Sequence, residues 1–369
     1  MKKLKIPVLL IFLIFGSEIY AEEVWETFSD FDEKSEIHLN HKPLTDILQQ
    51  VVLPVGRSKT LNNSKGKVEQ YVGSKIRYGN NTRSRTEGNR IFIHAFDDGH
   101  KDFFKGYQKG LENVSNRIPL KNLSKDEQLA FWLNLYNVIV INKLIEEYPV
   151  QRLEFFRKEK RGKPAFADQK VTVVAGVQLS LRDIERILFK NWDTPLVIYG
   201  LYQGAIGGPS LSNQAFDSET VWMVLTKSGT EFVNSNRGVR PQKKYLEISL
   251  IYDWFEDAFP GTGYSILSHI HRLADPGFLG DITGYTEVKA KYYDWYIADM
   301  LGGVLHTGMK STSTLIDDSL FRYDPGRTNT LRGLPPQALG LLQEIVINND
   351  IPRFVPIITT EECAPGEDC

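Results

Sequence analysis

The chain is poor in cysteine: it has two among 369 residues, Cys363 and Cys369, both within the last seven positions. In an oxidising compartment they are expected to form one small disulfide loop around residues 364–368. Closing so short a loop stabilises the chain by at most about 2 kcal/mol. A metal site is the weaker alternative, because two thiols without neighbouring histidines supply only half of a zinc site. No cysteine stands near residues 17–21, which argues against a lipid-anchored lipoprotein.

The common motifs of hydrolases, metalloenzymes and nucleotide-binding proteins are also missing. The sequence contains no His-Glu-x-x-His, no paired Cys-x-x-Cys and no Walker loop. Ser210 follows Pro209 and does not stand in a Gly-x-Ser-x-Gly elbow. His269 and His271 are two residues apart, so on a helix they point to different sides. We therefore expect neither a metal site nor a cofactor.

The chain also has no excess of basic over acidic residues. The net charge is −2, and residues 1–21 carry three lysines and one glutamate, so their removal leaves −4. Nucleic-acid binders carry a basic face, so this balance argues against a nucleic-acid partner. With 41% hydrophobic and 24% charged residues, the composition is that of an ordinary globular protein that can form a core.

Residues 1–21 have the pattern of a secretory signal peptide. Three lysines precede an apolar run at residues 6–15, which is too short to span a bilayer, and Ala21 offers a cleavage point. The alternative is an uncleaved membrane anchor. No later stretch reaches the ~20 apolar residues of a membrane helix, so we expect a soluble protein in the periplasm or outside the cell.

Hydrophobic periodicity and turn signals predict an α+β fold, a mostly helical single domain with a small antiparallel or mixed sheet. Helices are predicted at residues 45–52, 65–76, 103–114, 124–148, 181–189, 218–234, 250–259, 264–273 and 336–348. Strands are predicted at residues 90–94, 196–201, 245–249 and 353–358, with a hairpin at 170–179 that turns at Ala175-Gly176. The basic run 157–163 is interpreted as a solvated loop, since Glu159 interrupts it.

The strongest predicted element is a buried central helix over residues 124–148. Ser124 and Glu127 form a capping-box pattern, the body is apolar on nearly all sides, and Pro149 ends it. Asn134 and Asn137 lie three residues apart on one face. A buried amide needs hydrogen-bond partners, so the two side chains either tie the helix to neighbouring backbone or orient a ligand.

A glycine-rich junction follows at residues 194–211, where the predicted strand 196–201 meets Gly204, Gly207 and Gly208. Glycine lets the backbone approach a ligand closely, and such junctions often carry functional residues. This junction contains no Cys, His, Lys or carboxylate. The side chains in it that could take part in chemistry are those of Tyr199, Tyr202, Gln203 and Ser210.

Four segments carry a family resemblance. The helix segment 130–137, the segments 179–185 and 250–255, and the Tyr-Asp-Trp triplet at 293–295 stand in the order found in the bacterial domain-of-unknown-function family numbered 547. The resemblance covers residues 124–296 and continues more weakly upstream to residue 42. With the signal peptide expected at 1–21, this divides the chain into a lead-in at 22–41, the family domain at 42–300, and a C-terminal extension with a mobile tail at 301–369.

The chain departs from that family at the place where chemistry is expected. Aligned from Pro195, Ile198 takes the family's His position, Tyr202 its Asn position, Gln203 its first Cys position and Gly208 its second. A thiolate beside a histidine is a nucleophile, and a glutamine cannot replace it. The resemblance thus implies a member that has lost any thiol-based reaction.

Two functions remain open. The favoured one is a non-catalytic exported protein that binds an unknown small ligand or another envelope protein. The alternative is a hydrolase or transferase with an altered active site, using His94 or Asp294 with Asn137. Asp253 and Asp294 either cap helices or place a carboxylate in the same cleft. The candidate ligand-binding residues are Asn134, Asn137, Tyr199, Tyr202, Gln203, Gly204, Gly207, Gly208, Ser210, Asp253, Trp254, Asp294 and Trp295, and no catalytic residue is assigned.

Overall fold

The computed structural model describes residues 24–58, 80–259 and 265–304, together with positions 340, 341, 344, 345 and 348. The predicted signal peptide, the helix at 65–76, the strand at 353–358 and the disulfide between Cys363 and Cys369 lie outside the described residues. So does most of the C-terminal extension. The five described positions within the predicted helix 336–348 are helical.

Eight α-helices and seven strands have both ends within the described residues, and this mixture confirms the α+β prediction. The helices are α1 (Lys42–Val51), α2 (Asp98–Glu112), α3 (Lys125–Glu147), α4 (Leu181–Asn191), α5 (Val221–Val233), α6 (Ile251–Trp254), α7 (Ile266–Leu273) and α8 (Pro276–Ile282). The strands are β1 (Val52–Leu53), β2 (Arg90–Ile91), β3 (Thr172–Val174), β4 (Val177–Leu179), β5 (Val239–Pro241), β6 (Leu246–Ser249) and β7 (Val288–Tyr292).

Helix α3 is the centre of the fold, as its all-round apolar sequence predicts. Residues 127–141 are buried without exception. By length and composition α3 is also long and apolar enough to cross a membrane, but most of its apolar window is buried inside the fold, and a core helix meets the same test. The helix ends before Pro149, which cannot continue it.

The predicted capping box of α3 is only half formed. Ser124 Oγ accepts a hydrogen bond from the Glu127 N–H at 3.2 Å. The Glu127 carboxylate does not reach back to the Ser124 N–H; it accepts the Leu39 N–H at 3.0 Å and contacts His38 Nδ1 at 3.2 Å. The residue that sequence reasoning assigned to capping therefore anchors the lead-in segment to the core.

Helices and small sheets surround α3. Helices α2 and α4 pack against it, and α5 packs against a six-residue 3-10 helix at Pro195–Gly200. Strands β3 and β4 form the predicted hairpin, with positive φ at Ala175 and Gly176 in the turn. The largest sheet has three strands in the order β5-β6-β7, with β5 antiparallel and β7 parallel to β6.

Three local predictions are wrong. The apolar run 196–201 is a buried 3-10 helix and not a strand, since a short apolar run bounded by Pro and Gly suits either state. The predicted strand 90–94 continues past Ile91 as a 3-10 turn at Ile93–Ala95. The predicted helix 250–259 divides into α6 and a 3-10 turn at Glu256–Ala258.

Candidate functional site

The position expected to carry a nucleophile, Gln203, lies in a buried polar network centred on Arg157. Gln203 Oε1 accepts hydrogen bonds from Arg157 Nε at 2.9 Å and from a terminal guanidinium nitrogen at 2.7 Å. Gln203 Nε2 donates to Tyr136 Oη at 2.8 Å and to the Leu201 carbonyl at 3.0 Å. Both ends of the amide are therefore occupied by the protein itself.

The same guanidinium pairs with Glu185. Its two terminal nitrogens lie 3.0 and 2.6 Å from the two carboxylate oxygens, a bidentate arrangement, and Tyr136 Oη donates to Glu185 at 2.8 Å. The side chains of Arg157 and Glu185 are only 3% and 5% exposed. Such a buried pair is tolerated because each charge is matched and hydrogen-bonded, and removal of either partner leaves an uncompensated charge.

Electrostatics within the network follow from burial and charge. Burial alone lowers the pKa of Arg157, but the neighbouring Glu185 outweighs it and holds the pKa well above its usual value. Burial, reinforced by Glu185, raises the pKa of Tyr136 well above its usual value. The network thus joins a guanidinium and a carboxylate to a phenol that burial and Glu185 keep protonated at neutral pH.

Three of the four resemblance segments meet at this network, together with the glycine-rich junction. Tyr136 comes from the segment 130–137 on α3, Glu185 from the segment 179–185 on α4, and Gln203 from the glycine-rich junction. The rings of Trp254 and Phe255, from the third segment, lie 5.5 and 4.9 Å from the Arg157 guanidinium. Residues far apart in sequence are therefore held together by one arginine.

An aromatic cluster covers the network towards the surface. Trp254, Tyr293 and Trp295 have ring centroids 4.6–5.4 Å apart in tilted pairs. Trp254 is partly exposed, whereas Tyr293 and Trp295 are 8% and 9% exposed. The exposed Lys158 places Nζ 5.0 Å from the Trp295 ring. We call Trp254, Tyr293, Trp295 and Lys158 the aromatic patch.

Asn134 and Asn137 bond backbone, which is the first of the two alternatives given above. Asn134 accepts the Phe216 N–H at 2.9 Å and donates to the Phe216 carbonyl at 2.8 Å. Asn137 Oδ1 accepts the Tyr202 N–H at 3.0 Å. The two amides fasten α3 to the glycine-rich junction at Tyr202 and to the segment after it at Phe216, and this role explains their burial.

The glycine-rich junction is packed inside the fold. A Cβ on Gly207 would stand 2.3 Å from the backbone nitrogen of Asp294, so only glycine fits this close approach. Gly204 has a φ of 73°, a left-handed backbone conformation that favours glycine. Ile198, in the family's His position, is fully buried, and so is Tyr202, whose hydroxyl finds no hydrogen-bond partner among the described residues.

The two positions that the resemblance aligns with cysteine, Gln203 and Gly208, are neighbours in space. A Cβ built on Gly208 would lie 3.0 Å from Gln203 Cβ. Cβ atoms of natural disulfides are about 3.5–4.5 Å apart, so a small outward shift would suit a disulfide between these positions.

Tyr199 belongs to a different cluster. Its hydroxyl lies 2.8 Å from His269 Nε2 and 3.0 Å from Tyr252 Oη, and its ring stacks on the His269 ring at 5.6 Å. All three residues are buried. Burial, with a smaller effect from Arg272, lowers the pKa of His269 to about 4, so the ring is neutral at pH 7. His271 is partly exposed, and the two histidines point to different sides, as predicted.

The remaining candidate residues are dispersed. Asp294 is buried and does not cap a helix: Oδ2 accepts from Ser84 Oγ at 2.7 Å and from Thr82, and Oδ1 accepts the Tyr296 N–H. Asp253 lies inside α6 and is exposed, so the capping interpretation is wrong for both aspartates. Ser210 Oγ accepts from the Arg237 guanidinium at 3.0 Å.

Sequence reasoning missed Arg157 and Glu185, which hold the site together. Arg157 opens a run of charged residues that reads locally as a solvated loop, and residues 158–163 are indeed exposed. Only the spatial partners of Arg157 explain its burial. Glu185 offered one signal, because it stands inside a resemblance segment on a helix with a strong apolar face.

No group of three or more His, Cys, Asp or Glu side chains placed to hold a metal ion occurs in residues 24–58, 80–259 and 265–304.

In comparisons with known proteins, residues 120–233 match the family described as protein of unknown function, DUF547. No curated protein and no solved structure matches the chain.

Proposed function

We propose that this chain, whose residues 120–233 match the DUF547 family, is an exported, non-catalytic protein that binds a partner in the cell envelope. The favoured partner is another protein, bound through the aromatic patch. Export is proposed from the signal-like residues 1–21.

One observation carries the non-catalytic part of the proposal. Gln203 stands where the resemblance places a cysteine, and its amide is fully engaged with Arg157, Tyr136 and the Leu201 carbonyl. A side chain that is 3% exposed and has both ends bonded has no free group to offer a substrate. We interpret Gln203 as a brace that replaces a reactive group.

Within the aromatic patch, the partly exposed Trp254 and the exposed Lys158 form the surface that supports binding, and Tyr293 and Trp295 pack against Trp254. Tryptophan and tyrosine contribute large contact areas at little cost in side-chain entropy, and they are enriched in the energetically important parts of interfaces. Arg157 supports the ring of Trp254 from below, and Lys158 adds a positive charge at the rim. A partner that inserts an apolar side chain near an acidic residue would match this combination.

The test is a quantitative pull-down from an envelope extract with the full chain, Trp254→Ala and a matched control, Met223→Ala. Met223 is 63% exposed on α5 and lies outside the patch, so the control removes an exposed apolar side chain elsewhere. We expect one partner to be retained by the parent and by Met223→Ala, and its recovery to fall at least tenfold with Trp254→Ala. Equal recovery with Trp254→Ala would refute the patch as the binding surface.

Two further measurements address the other parts of the proposal. Amino-terminal sequencing of the chain recovered from outside the cytoplasm should begin at Glu22 if the signal is cleaved, whereas a chain that begins at Met1 contradicts cleavage. Hydroxyl-directed covalent probes should leave residues 80–259 unlabelled. Stoichiometric labelling at one residue there would favour the hydrolase or transferase alternative.

A further inference from the structure

A groove of about 490 Å³ lies between residues 39–41 and the exposed flank of α2. Its volume is within the range of about 300–1,000 Å³ typical of small-molecule sites. One wall is formed by Phe103 and Tyr107, whose rings stack 5.8 Å apart at an angle of 20°. Leu39 and Leu111 complete an apolar lining.

Two glycines keep this groove open. Gly106 and Gly110 stand four residues apart on α2 and both line the groove. A Cβ on either would meet no atom within 4 Å, so packing does not require glycine at these positions. Because glycine inside a helix is destabilising relative to alanine, two of them on one flank cost stability that neither packing nor backbone geometry explains.

A buried polar pair lies at the inner end of the groove. His41, which is 5% exposed, lines the groove and places Nδ1 2.6 Å from Tyr107 Oη. Its Nε2 has no hydrogen-bond partner among the described residues; the closest carboxylate oxygen, on Glu127, is 3.9 Å away. A buried polar atom without a partner calls for an explanation such as a bound molecule.

The wall opposite α2 is held in place before any ligand arrives. The Glu127 carboxylate, fixed on the first turn of α3, accepts the Leu39 N–H at 3.0 Å. Lys42 and Asp46 form an ion pair at 2.8 Å at the start of α1, directly after His41. The groove is therefore preformed, as small-molecule sites usually are.

Charge at the rim does not favour an ionic ligand of either sign. Asp102 lines the groove and is exposed, and the exposed Lys105 and Lys109 lie three and seven residues further along α2. The buried His41 is kept neutral, because burial lowers its pKa despite the carboxylates of Glu127 and Asp217. Shape, apolar contact and one hydrogen bond must then provide the selectivity.

We propose that this groove binds a small uncharged aromatic molecule, with its ring along Phe103 and Tyr107 and a hydroxyl or carbonyl group towards the His41–Tyr107 pair. The two glycines leave room for the flat ring. The site shares no residue with the aromatic patch, so it is independent of the proposed protein-binding surface.

The proposal is tested with three probes that share one ring system: 2-naphthol, which is uncharged, 2-naphthoate, an anion, and 2-naphthylmethylammonium, a cation. Each is titrated calorimetrically into the full chain. We expect one-site binding of 2-naphthol, at least tenfold tighter than that of either charged probe. No binding of 2-naphthol, or tighter binding of a charged probe, would overturn the assignment.

Variants then locate the bound probe. Gly106→Leu places a side chain in the groove and should weaken 2-naphthol binding at least tenfold while raising the melting temperature. Gly280→Leu is the matched control, since Gly280 is also an exposed helical glycine, on α8, with nothing within 4 Å of a Cβ. It should raise the melting temperature and leave binding unchanged. Gly110→Leu provides a second, independent block, and binding unaffected by both groove variants would contradict the proposal.

Discussion

The substitution Arg157→Met tests whether one buried arginine holds the family segments together. It removes the bidentate pair with Glu185 and both bonds to Gln203 Oε1, leaving Glu185 with Tyr136 as its hydrogen-bond donor in the network. Removing one partner of a buried ion pair costs about 3–5 kcal/mol. We expect a loss of this size in the free energy of unfolding, measured by urea denaturation at pH 7.

One comparison separates the effect of the buried charge from the effect of lost packing. The double variant Arg157→Met/Glu185→Leu removes both charges and should be more stable than Arg157→Met alone, because no uncompensated carboxylate remains.

Lys158→Met is the matched control, since it changes the neighbouring exposed cation. Substitution of an exposed residue usually alters the free energy of unfolding by about 0.5 kcal/mol or less. If Arg157→Met lowers the free energy of unfolding no more than Lys158→Met does, the buried network does not stabilise the fold and the reasoning is refuted.

Three other outcomes follow from the geometry. Because the folded-state pKa of His269 is lowered to about 4, its contribution to stability is present above pH 6.5 and is lost as pH falls towards 4, by up to about 3 kcal/mol. The melting temperature of His269→Gln should therefore depend less on pH across this window than that of the parent. Equal dependence of the two melting temperatures on pH would contradict the assignment. Gly207→Ala forces a Cβ against the Asp294 backbone and should cost about 2 kcal/mol or more in urea, whereas a neutral effect would show that the approach is not tight. The pair Gln203→Cys with Gly208→Cys should oxidise to a disulfide visible by peptide mapping, and two persistently free thiols would show that the backbone holds them apart.

Local patterns in the sequence were sufficient for elements whose own residues determine them. Helix α3 is apolar on all sides and buries residues 127–141, and the hairpin turns at Ala175-Gly176, where the structure has positive φ. The prediction failed where two local structures share one pattern. The apolar run after Pro195 suits a buried strand and a buried 3-10 helix equally, and packing against α5 decided between them.

The candidate site was predictable in part. Asn134, Asn137 and Gln203 were identified by burial and position, but Arg157 was not, because its partners Glu185 and Gln203 are 28 and 46 residues away along the chain. A charged run gives no local sign that its first member turns inward. The groove was missed for a similar reason, since the lead-in segment has no periodic pattern and is held by Glu127 on α3.

A double-mutant cycle between Gln203→Leu and Arg157→Met tests most directly whether Gln203 acts as a structural brace. The two hydrogen bonds from the guanidinium to Gln203 Oε1 involve a charged donor, for which about 1.5–3 kcal/mol each is typical. The account predicts a coupling free energy of at least about 1.5 kcal/mol from urea unfolding of the parent, both single variants and the double variant. Losses that add within about 0.5 kcal/mol would show that Gln203 and Arg157 act independently and would contradict the account.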